Sequence, residues 1–403
     1  MLALIAWRNV WRNPTRSGVV IGAIVVGIWA VTFSMGFINS LSAGFVHNAV
    51  FHDYSHLQLH HPQFRQEPDV LLALPNHRQL AAALRHRPEV ASFSARMLVM
   101  GMIASPHTSA GVQIYGIDPV AEARVTRLDS LVAEGHFFPG QGRQPVLMSR
   151  KLAAKLKVRV KSKVVLTFQD KEGEVVAGAF RIEGLINSPS PRITESVVYV
   201  RRQDLGRLVG SDTLTHEIAV LLRQPDQGPG LAGQLASRFP DIQTQTWQQL
   251  APELQLVQQQ SAISMLILLV ILMLALAFGM VNTMLMAVLE RTHELGMLMA
   301  IGMNKGRVFA MVLIETVYLA LVGGPLGCGL GLLTVSWLGR SGVNLSAYAQ
   351  GLQQYGYNTI LYPQVAPGQY LLMAGSVVLT ALLAAVYPAW KAVRLRPVEA
   401  LRA

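Results

Sequence analysis

Hydrophobic positions in this chain are gathered rather than spread. Residues 18–41, 261–289, 308–338 and 369–390 are runs almost free of charge, with Glu315 the one charged side chain among them. Each is at least as long as the roughly 20 helical residues that cross a hydrocarbon core about 30 Å thick. In lipid, a helix is the open-chain form that satisfies its own backbone groups, so the pattern predicts four transmembrane helices. The first run follows a basic segment, as a cleaved signal would, but a secretory apolar core is typically about 7 to 15 residues. This one is longer and carries Trp29, Phe33 and Phe37 where small cleavage-site residues would be wanted. A retained anchor is expected.

Residues 42–260, between the first two runs, show a different periodicity and are long enough to fold independently. Alternating and β-branched stretches predict strands at 56–60, 90–103 and 112–117, with a helix at 77–87. This first part reads as a small α/β unit. After Gly135 short strands at 145–148, 164–169, 175–185 and 196–200 follow, interrupted by a helix at 149–156. A strand at 217–222, a helix at 231–239 and a strand at 242–246 return to the α/β style, so a β-rich lobe, about 135–215, is expected to be inserted into the first unit. The stretch 247–260 has helical spacing at Leu250, Leu254 and Val257 and predicts one continuous helix into the second membrane run. The expected layout is 1–41 amphipathic segment and first helix, 42–260 exported α+β domain, 261–289 second helix, 290–307 a short amphipathic hinge, 308–338 third helix, 339–368 a loop, 369–390 fourth helix and 391–403 a tail.

Composition agrees with the membrane class: 51% of the 403 residues are hydrophobic and 14% charged, more apolar than soluble proteins usually are. The formal net charge is +11. Arg8, Arg12 and Arg16 precede the first run, Arg291, Lys305 and Arg307 lie between the second and third, and Lys391, Arg394, Arg396 and Arg402 follow the fourth, whereas the loop 339–368 holds only Arg340. The positive-inside rule then predicts cytoplasmic termini and hinge, with 42–260 exported into the periplasm from a bacterial inner membrane. Trp7, Trp11, Tyr387 and Trp390 suit an inner aromatic belt, and Trp337 and Tyr370 an outer one. Residues 42–260 hold 23 Lys and Arg against 19 Asp and Glu, so most of the excess lies near the membrane. Anionic headgroups explain it better than a nucleic acid.

Compact catalytic motifs are missing. A phosphate-cradling P-loop needs Gly-Lys-Ser/Thr, and no Gly-Lys pair occurs in the sequence. The residues four beyond His293 and His216 are Met297 and Val220, so neither His-Glu pair completes a zinc-protease motif. Cys328, the single cysteine, excludes an intramolecular disulfide and makes a poor nucleophile within an apolar helix. No catalytic or metal residue is assigned, and an enzyme is disfavoured. His47, His52, His56, His60 and His61 crowd beyond the first run; their spacing does not show convergence on a metal, and loop or strand histidines are the plainer reading. Glu315, roughly 12 Å along the third helix from Arg307, reads either as a proton-relay carboxylate or as the partner of a basic residue or helix end near the inner headgroups. Gly18 and Gly22, with Gly323, Gly327 and Gly331, follow the spacing that lets helices approach closely, while Pro325 would kink the third helix. Packing is the default reading, and a flexing point the alternative.

The hinge Glu290-Arg291-Thr292-His293-Glu294-Leu295-Gly296, followed by Ala300 and Gly302, resembles the E-R-x-x-E-[IL]-G-x-x-x-A-x-G signature of FtsX-like or MacB-like permeases of ABC transporters, the type VII superfamily. Ala6-Trp7-Arg8-Asn9-Val10 with Arg12-Asn13-Pro14, Gly323-Gly324-Pro325-Leu326-Gly327, and Tyr387-Pro388-Ala389-Trp390-Lys391-Ala392 with Arg396-Pro397-Val398-Glu399-Ala400-Leu401-Arg402 agree with it. His293 and Met303 stand where basic and alanine residues are common in the family.

The resemblance implies four membrane helices with a large periplasmic domain of porter-like and β-rich lobes between the first two. It makes the hinge a coupling helix seated in a groove of a separate ATPase, which would bind the ATP and Mg. Two ATPases would pair with two permeases, identical or homologous. Glu290, Arg291 and Glu294 would supply polar contacts to the ATPase; Leu295, Met297, Leu298 and Ile301 would pack against it or lie on the membrane surface; Gly296 and Gly302 complete the signature. The short segment before the first helix resembles the LolC/LolE layout more than that of MacB, whose ATPase is fused N-terminally. Mechanotransmission would then drive extraction or release of a lipoprotein or other amphipathic cargo, with a periplasmic carrier as a further partner. Peptide sensing or signalling of the FtsX or BceB kind, or MacB-like efflux of hydrophobic compounds, would use the same parts.

Overall fold

Residue 13 precedes a proline, a position that disfavours helix, and there the chain bends between α1 (Leu2–Arg12) and α2 (Pro14–Ala49). The computed structural model describes residues 2–138, 144–348, 351–352, 357 and 359–394. A π-helical turn, Val50–Tyr54, prolongs α2. Next come β1 (Leu57–His60), α3 (His77–Arg85), β2 (Val90–Ala104), β3 (Ser109–Ile117), α4 (Pro119–Thr126) and β4 (Val132–Gly135). They are followed by β5 (Pro145–Ser149), α5 (Arg150–Lys155), β6 (Lys163–Gln169), β7 (Val175–Ile186), α6 (Pro191–Ser196), β8 (Val197–Arg201) and α7 (Arg202–Val209). Then β9 (Glu217–Leu222), α8 (Gly228–Arg238), β10 (Gln243–Thr246) and α9 (Trp247–Leu250) lead to α10 (Pro252–Glu290). The remaining elements are α11 (Thr292–Ala300), α12 (Lys305–Ser341), β11 (Val343–Asn344), β12 (Ile360–Leu361) and α13 (Pro367–Val393). The chain forms two units: a helical one of Met1–Ser42, Gln258–Leu345 and Ile360–Ala403, and a sheet unit of Ala43–Val257 and Ser346–Thr359.

In the helical unit, four helices are long and apolar enough to cross a membrane: Pro14–Tyr54, Pro252–Glu290, Lys305–Ser341 and Pro367–Val393. They extend beyond the uncharged runs at both ends. On α10, Met265, Leu269, Met273, Leu276, Met280, Met284 and Val288 are buried, at steps of three or four that mark one helix face. Its other faces expose Leu266, Val270, Leu274 and Phe278, as lipid contact requires. The seam between α2 and α12 rests on small residues. A Cβ at Gly323, Gly327 or Gly331 would lie 2.9, 2.9 or 2.8 Å from the Cβ of Ile24, Ile28 or Thr32, so two rows spaced by four interlock at close range. Gly18 and Gly22 do not share this role, since a Cβ there meets nothing within 4 Å. Pro325 sits on the exposed side of α12, which continues through it as a single helix.

In the sheet unit, β2 serves two lobes. Its first half, through Arg96, pairs with β9, and β9, β1 and β10 continue that layer. Leu80 and Leu84 of α3 and Leu231 and Leu235 of α8 join Leu57, Leu59, Ile218 and Val220 in its core. The second half pairs with β3 and β6, and the pairings β3 to β8, β8 to β5, β5 to β7 and β7 to β6 close a six-stranded ring. Met97, Val99, Ile114, Val146, Phe180 and Val198 belong to the core of this ring. The β-rich lobe therefore starts near Met97 rather than near 135, because β2 and β3 contribute two of its walls. The expected unbroken helix over 247–260 is also corrected. Ala251, at φ −134° and ψ 71°, separates α9 from α10, since the following Pro252 disfavours a helical conformation there. Val46, Val50, Ala251 and Leu254 pack together at this point. Part of the 339–368 loop, Ser346–Thr359, joins the sheet unit, and Tyr357 meets the Phe45 ring with centroids 5.3 Å apart.

Candidate functional site

The hinge folds as the nine-residue α11. Arg291, at φ −109° and ψ 19°, interrupts the helix between α10 and α11. At the other end Gly302 adopts φ +101°, a conformation side chains rarely tolerate. Its N–H donates to the carbonyl of Met299 (3.1 Å) and that of Met303 to Leu298 (3.0 Å), a paired closure that ends the helix. Asn304 then caps α12, its Oδ1 accepting from the Gly306 N–H at 3.1 Å. The signature glycine at 302 is thus a turn requirement.

The faces of α11 divide cleanly. Leu295 and Gly296 are buried, Leu295 in the core that also holds Val288, Val308 and Met311; Leu298 is half-buried. His293, Met297, Ala300 and Ile301 are exposed, at steps of four, three and one that place them on a single stripe. Ile301 is 79% exposed. The apolar surface that the hinge offers outward is therefore Met297, Ala300 and Ile301, while Leu295 and Gly296 serve the protein's own packing.

The charged members of the hinge are engaged within the unit. Arg12 reaches Glu294 (2.5 Å), Arg16 reaches Glu290 (3.1 Å) and Glu315 (3.8 Å), and Arg291 reaches Glu294 (3.2 Å) and Glu315 (3.3 Å). Three guanidinium groups and three carboxylates balance. The Arg12 hydrogen bond, opposed by slight burial and aided by Arg291, holds the Glu294 carboxyl below the ordinary carboxylate range. Glu315 is buried, and its place in this cluster matches the pairing alternative read from its position. Hydrogen-bond geometry at the bend supports the arrangement: Ser17 Oγ donates to the Val10 carbonyl, and its N–H to that of Asn13. Ala6 and Val10 of α1 are buried, and Trp7 packs edge-on against Tyr318 with centroids 5.3 Å apart. Sequence reasoning left out the Arg12 and Arg16 partnership. Its one legible sign is that the two arginines and the two glutamates Glu290 and Glu294 are each four residues apart. The tail residues Arg396 to Arg402 lie outside the described residues.

A second charged cluster lies in the sheet unit. Arg96, only 2% exposed, donates to Glu122 (2.6 and 3.1 Å) and Glu217 (2.6 Å). The Tyr115 ring lies 5.7 Å from the Arg96 guanidinium and 5.9 Å from that of Arg192. Arg192 pairs in turn with the buried Asp53, which also accepts from Ser190 Oγ at 2.8 Å. The histidines beyond the first run find separate partners. His52 Nδ1 lies 2.9 Å from the Thr126 carbonyl, His56 Nδ1 accepts from the Leu222 N–H at 3.0 Å, and His60 Nε2 lies 2.9 Å from Gln245 Oε1. Among the described residues no group of three potential ligands could hold a metal. Burial lowers the pKa of His56, His60 and His216.

Comparison with known families decides the affiliation. The family described as the FtsX-like permease C-terminal domain matches residues 266–397, and the MacB-like periplasmic core domain matches residues 17–238. This chain belongs to the FtsX-like permeases with a MacB-like periplasmic core. The lipoprotein-releasing system transmembrane protein LolC of Haemophilus influenzae is 22% identical over 418 residues, covering 100% of this chain and 98% of the relative. The macrolide export ATP-binding/permease protein MacB of Chlorobaculum tepidum is 40% identical over 124 residues, 31% of this chain and 16% of the relative. MacB of Escherichia coli is 28% identical over 200 residues, 48% and 29% of the two chains. This permease thus spans only a minor part of the MacB relatives it matches.

Proposed function

We propose that this permease is the membrane subunit of an ABC transporter, driven by ATPase subunits that dock on α11 and bind the ATP and Mg. The observation that carries the reading is the outward stripe of α11. A short helix between two membrane helices presents Met297 and Ile301, 45% and 79% exposed, at the end of the bundle where the exposed Lys305 and Arg307 begin α12. By the positive-inside rule that end is cytoplasmic, where an ATPase is available to cover it. A second permease copy or homologue would complete the assembly.

ATP-driven movement of α11 would pass along α10 toward the exported domain, whose α10 start packs on the end of α2 through Val46, Val50 and Leu254. The four helices are too apolar to line a hydrophilic channel, so the work is done on the periplasmic side. The cargo class that fits is a lipoprotein or other amphipathic molecule, handed to a periplasmic carrier; the full-length match to LolC favours it. Export of a hydrophobic compound is the second reading, favoured by the match of residues 17–238 to the MacB-like core. Reconstitution into proteoliposomes with an ABC ATPase distinguishes them: ATP-dependent release of a triacylated lipoprotein supports the first, and ATP-dependent loss of a membrane-soluble dye without lipoprotein release supports the second. If Ile301→Asp leaves ATPase association intact, α11 is not the docking surface.

A further inference from the structure

The acidic residues of the hinge, Glu290 and Glu294, are paired within the chain although each is nearly half exposed. Nine residues make α11, too short to be stable alone, and both of its ends are non-helical, at Arg291 and at Gly302. It is held on the bundle by the buried Leu295 and Gly296, with Leu298, Met299 and Met303 packed partly buried beside them, and by the ion pairs. Those ion pairs do not run back to α10 alone. Arg12 and Arg16 stand on either side of the bend between α1 and α2, and they take Glu294 of α11 and Glu290 at the end of α10. Arg291 and Arg16 both reach Glu315 of α12.

We infer that Arg12, Arg16 and Arg291 are positioning residues that clasp the coupling helix to the first and third membrane helices, so that Glu290 and Glu294 act inside this chain rather than on the ATPase. The inference rests on the docking role proposed for α11 and deepens it. Displacing α11 moves three membrane helices instead of two: α10 and α12 through the chain itself, the second link tightened at Glu315, and α2, with α1, through Arg12 and Arg16. Graded burial suits such a joint. Arg291 and Glu315 are 12% and 7% exposed and form the anchored end, whereas Arg12 and Glu294 are 50% and 46% exposed and can part and re-form in water. An exposed pair is weak, contributing up to about a fivefold bias in an opening equilibrium, which allows a stroke to break it.

The test is hydrogen exchange of the full chain in lipid nanodiscs, read at the amides of 295–303. Arg12→Glu and Glu294→Arg should each speed exchange there about threefold or more, and the Arg12→Glu/Glu294→Arg swap should restore it to within about a factor of two. Unchanged exchange in the single variants, or a swap that restores nothing, overturns the clasp. A functional arm separates it from the docking reading. With an ABC ATPase co-assembled, Glu294→Arg should retain ATPase association but lose cargo movement per ATP, and the swap should recover it; Ile301→Asp should lose association. Restoration of Glu294→Arg by a charge reversal on the ATPase would overturn the clasp and leave docking standing. Association retained by Ile301→Asp would defeat docking while leaving the exchange result, and the clasp, in place.

Discussion

The two units of this permease handle clustered charge in opposite ways. In the sheet unit, Arg96 is enclosed with Glu122 and Glu217, and its guanidinium makes three hydrogen bonds to the two carboxylates. In the helical unit, Arg12, Arg16 and Arg291 share Glu290, Glu294 and Glu315 across a gradient of exposure that ends in water. A sealed, fully bonded cluster locks the strands around it, because breaking one partner leaves an uncompensated buried charge. A cluster open at one end can be remade. The difference teaches where motion is expected: at the hinge, and not at the junction of the two sheet lobes.

The comparison breaks most visibly at Arg96. Arg96→Ala strands two buried glutamates and should cost about 3–5 kcal/mol, seen as a large loss in thermal stability or in folded yield. If the purified variant melts like the wild type, the cluster does not lock the lobes. Next in size is the glycine seam. Gly327→Ala places a Cβ 2.9 Å from the Cβ of Ile28 and 3.0 Å from the Val25 carbonyl, an overpacking that should cost about 1–3 kcal/mol. Gly22→Ala, with open space around it, should be neutral in the same thermal assay. Equal effects at the two positions would contradict the assigned seam.

Acid should act on the sheet unit through His216. Its Nδ1 accepts from the Leu98 N–H and its Nε2 lies 2.8 Å from the Val70 carbonyl, so the neutral ring fits and burial lowers its pKa. The unfolded chain, with an ordinary histidine near pKa 6.5, binds the proton first. Stability is therefore full above about pH 6.5 and declines as pH falls from there toward the lowered folded value. Thermal scans between pH 7.5 and 5 should show this decline, to which His56 and His60 also contribute, and His216→Gln should make it shallower. Smallest of all is Arg12→Ala, whose exposed pair should be worth about 0.2–1 kcal/mol of stability. A loss as large as that from Arg96→Ala would erase the distinction between the clusters.

Much of the fold is legible because local pattern governs it. Uncharged runs give the four membrane helices, and alternation gives most strands; β9, Glu217–Leu222, matches its expected bounds. The misses have non-local causes. β2 is one unbroken strand of fifteen residues, and nothing in its own pattern says that its neighbours change from β9 to β3 and β6 at Met97. The break before α10 follows from Pro252 but was masked by the helical spacing of Leu250, Leu254 and Val257. At the hinge, the signature marks the segment and Gly302 its turn. Which charges are paired within the chain depends on partners 282 and 274 residues away, a relation no spacing within 290–303 encodes. The outward stripe Met297, Ala300 and Ile301 emerges only once Leu295 is seen in the core.

The account turns on that stripe. A photo-crosslinking amino acid placed at Met297 or at Ile301 of the permease, co-expressed with an ABC ATPase, tests it directly. Covalent adducts with the ATPase are expected from both positions, and none from Leu371 or Phe278, 77% and 76% exposed on the membrane helices. Lipid adducts alone from Met297 and Ile301, with no ATPase adduct, would contradict it.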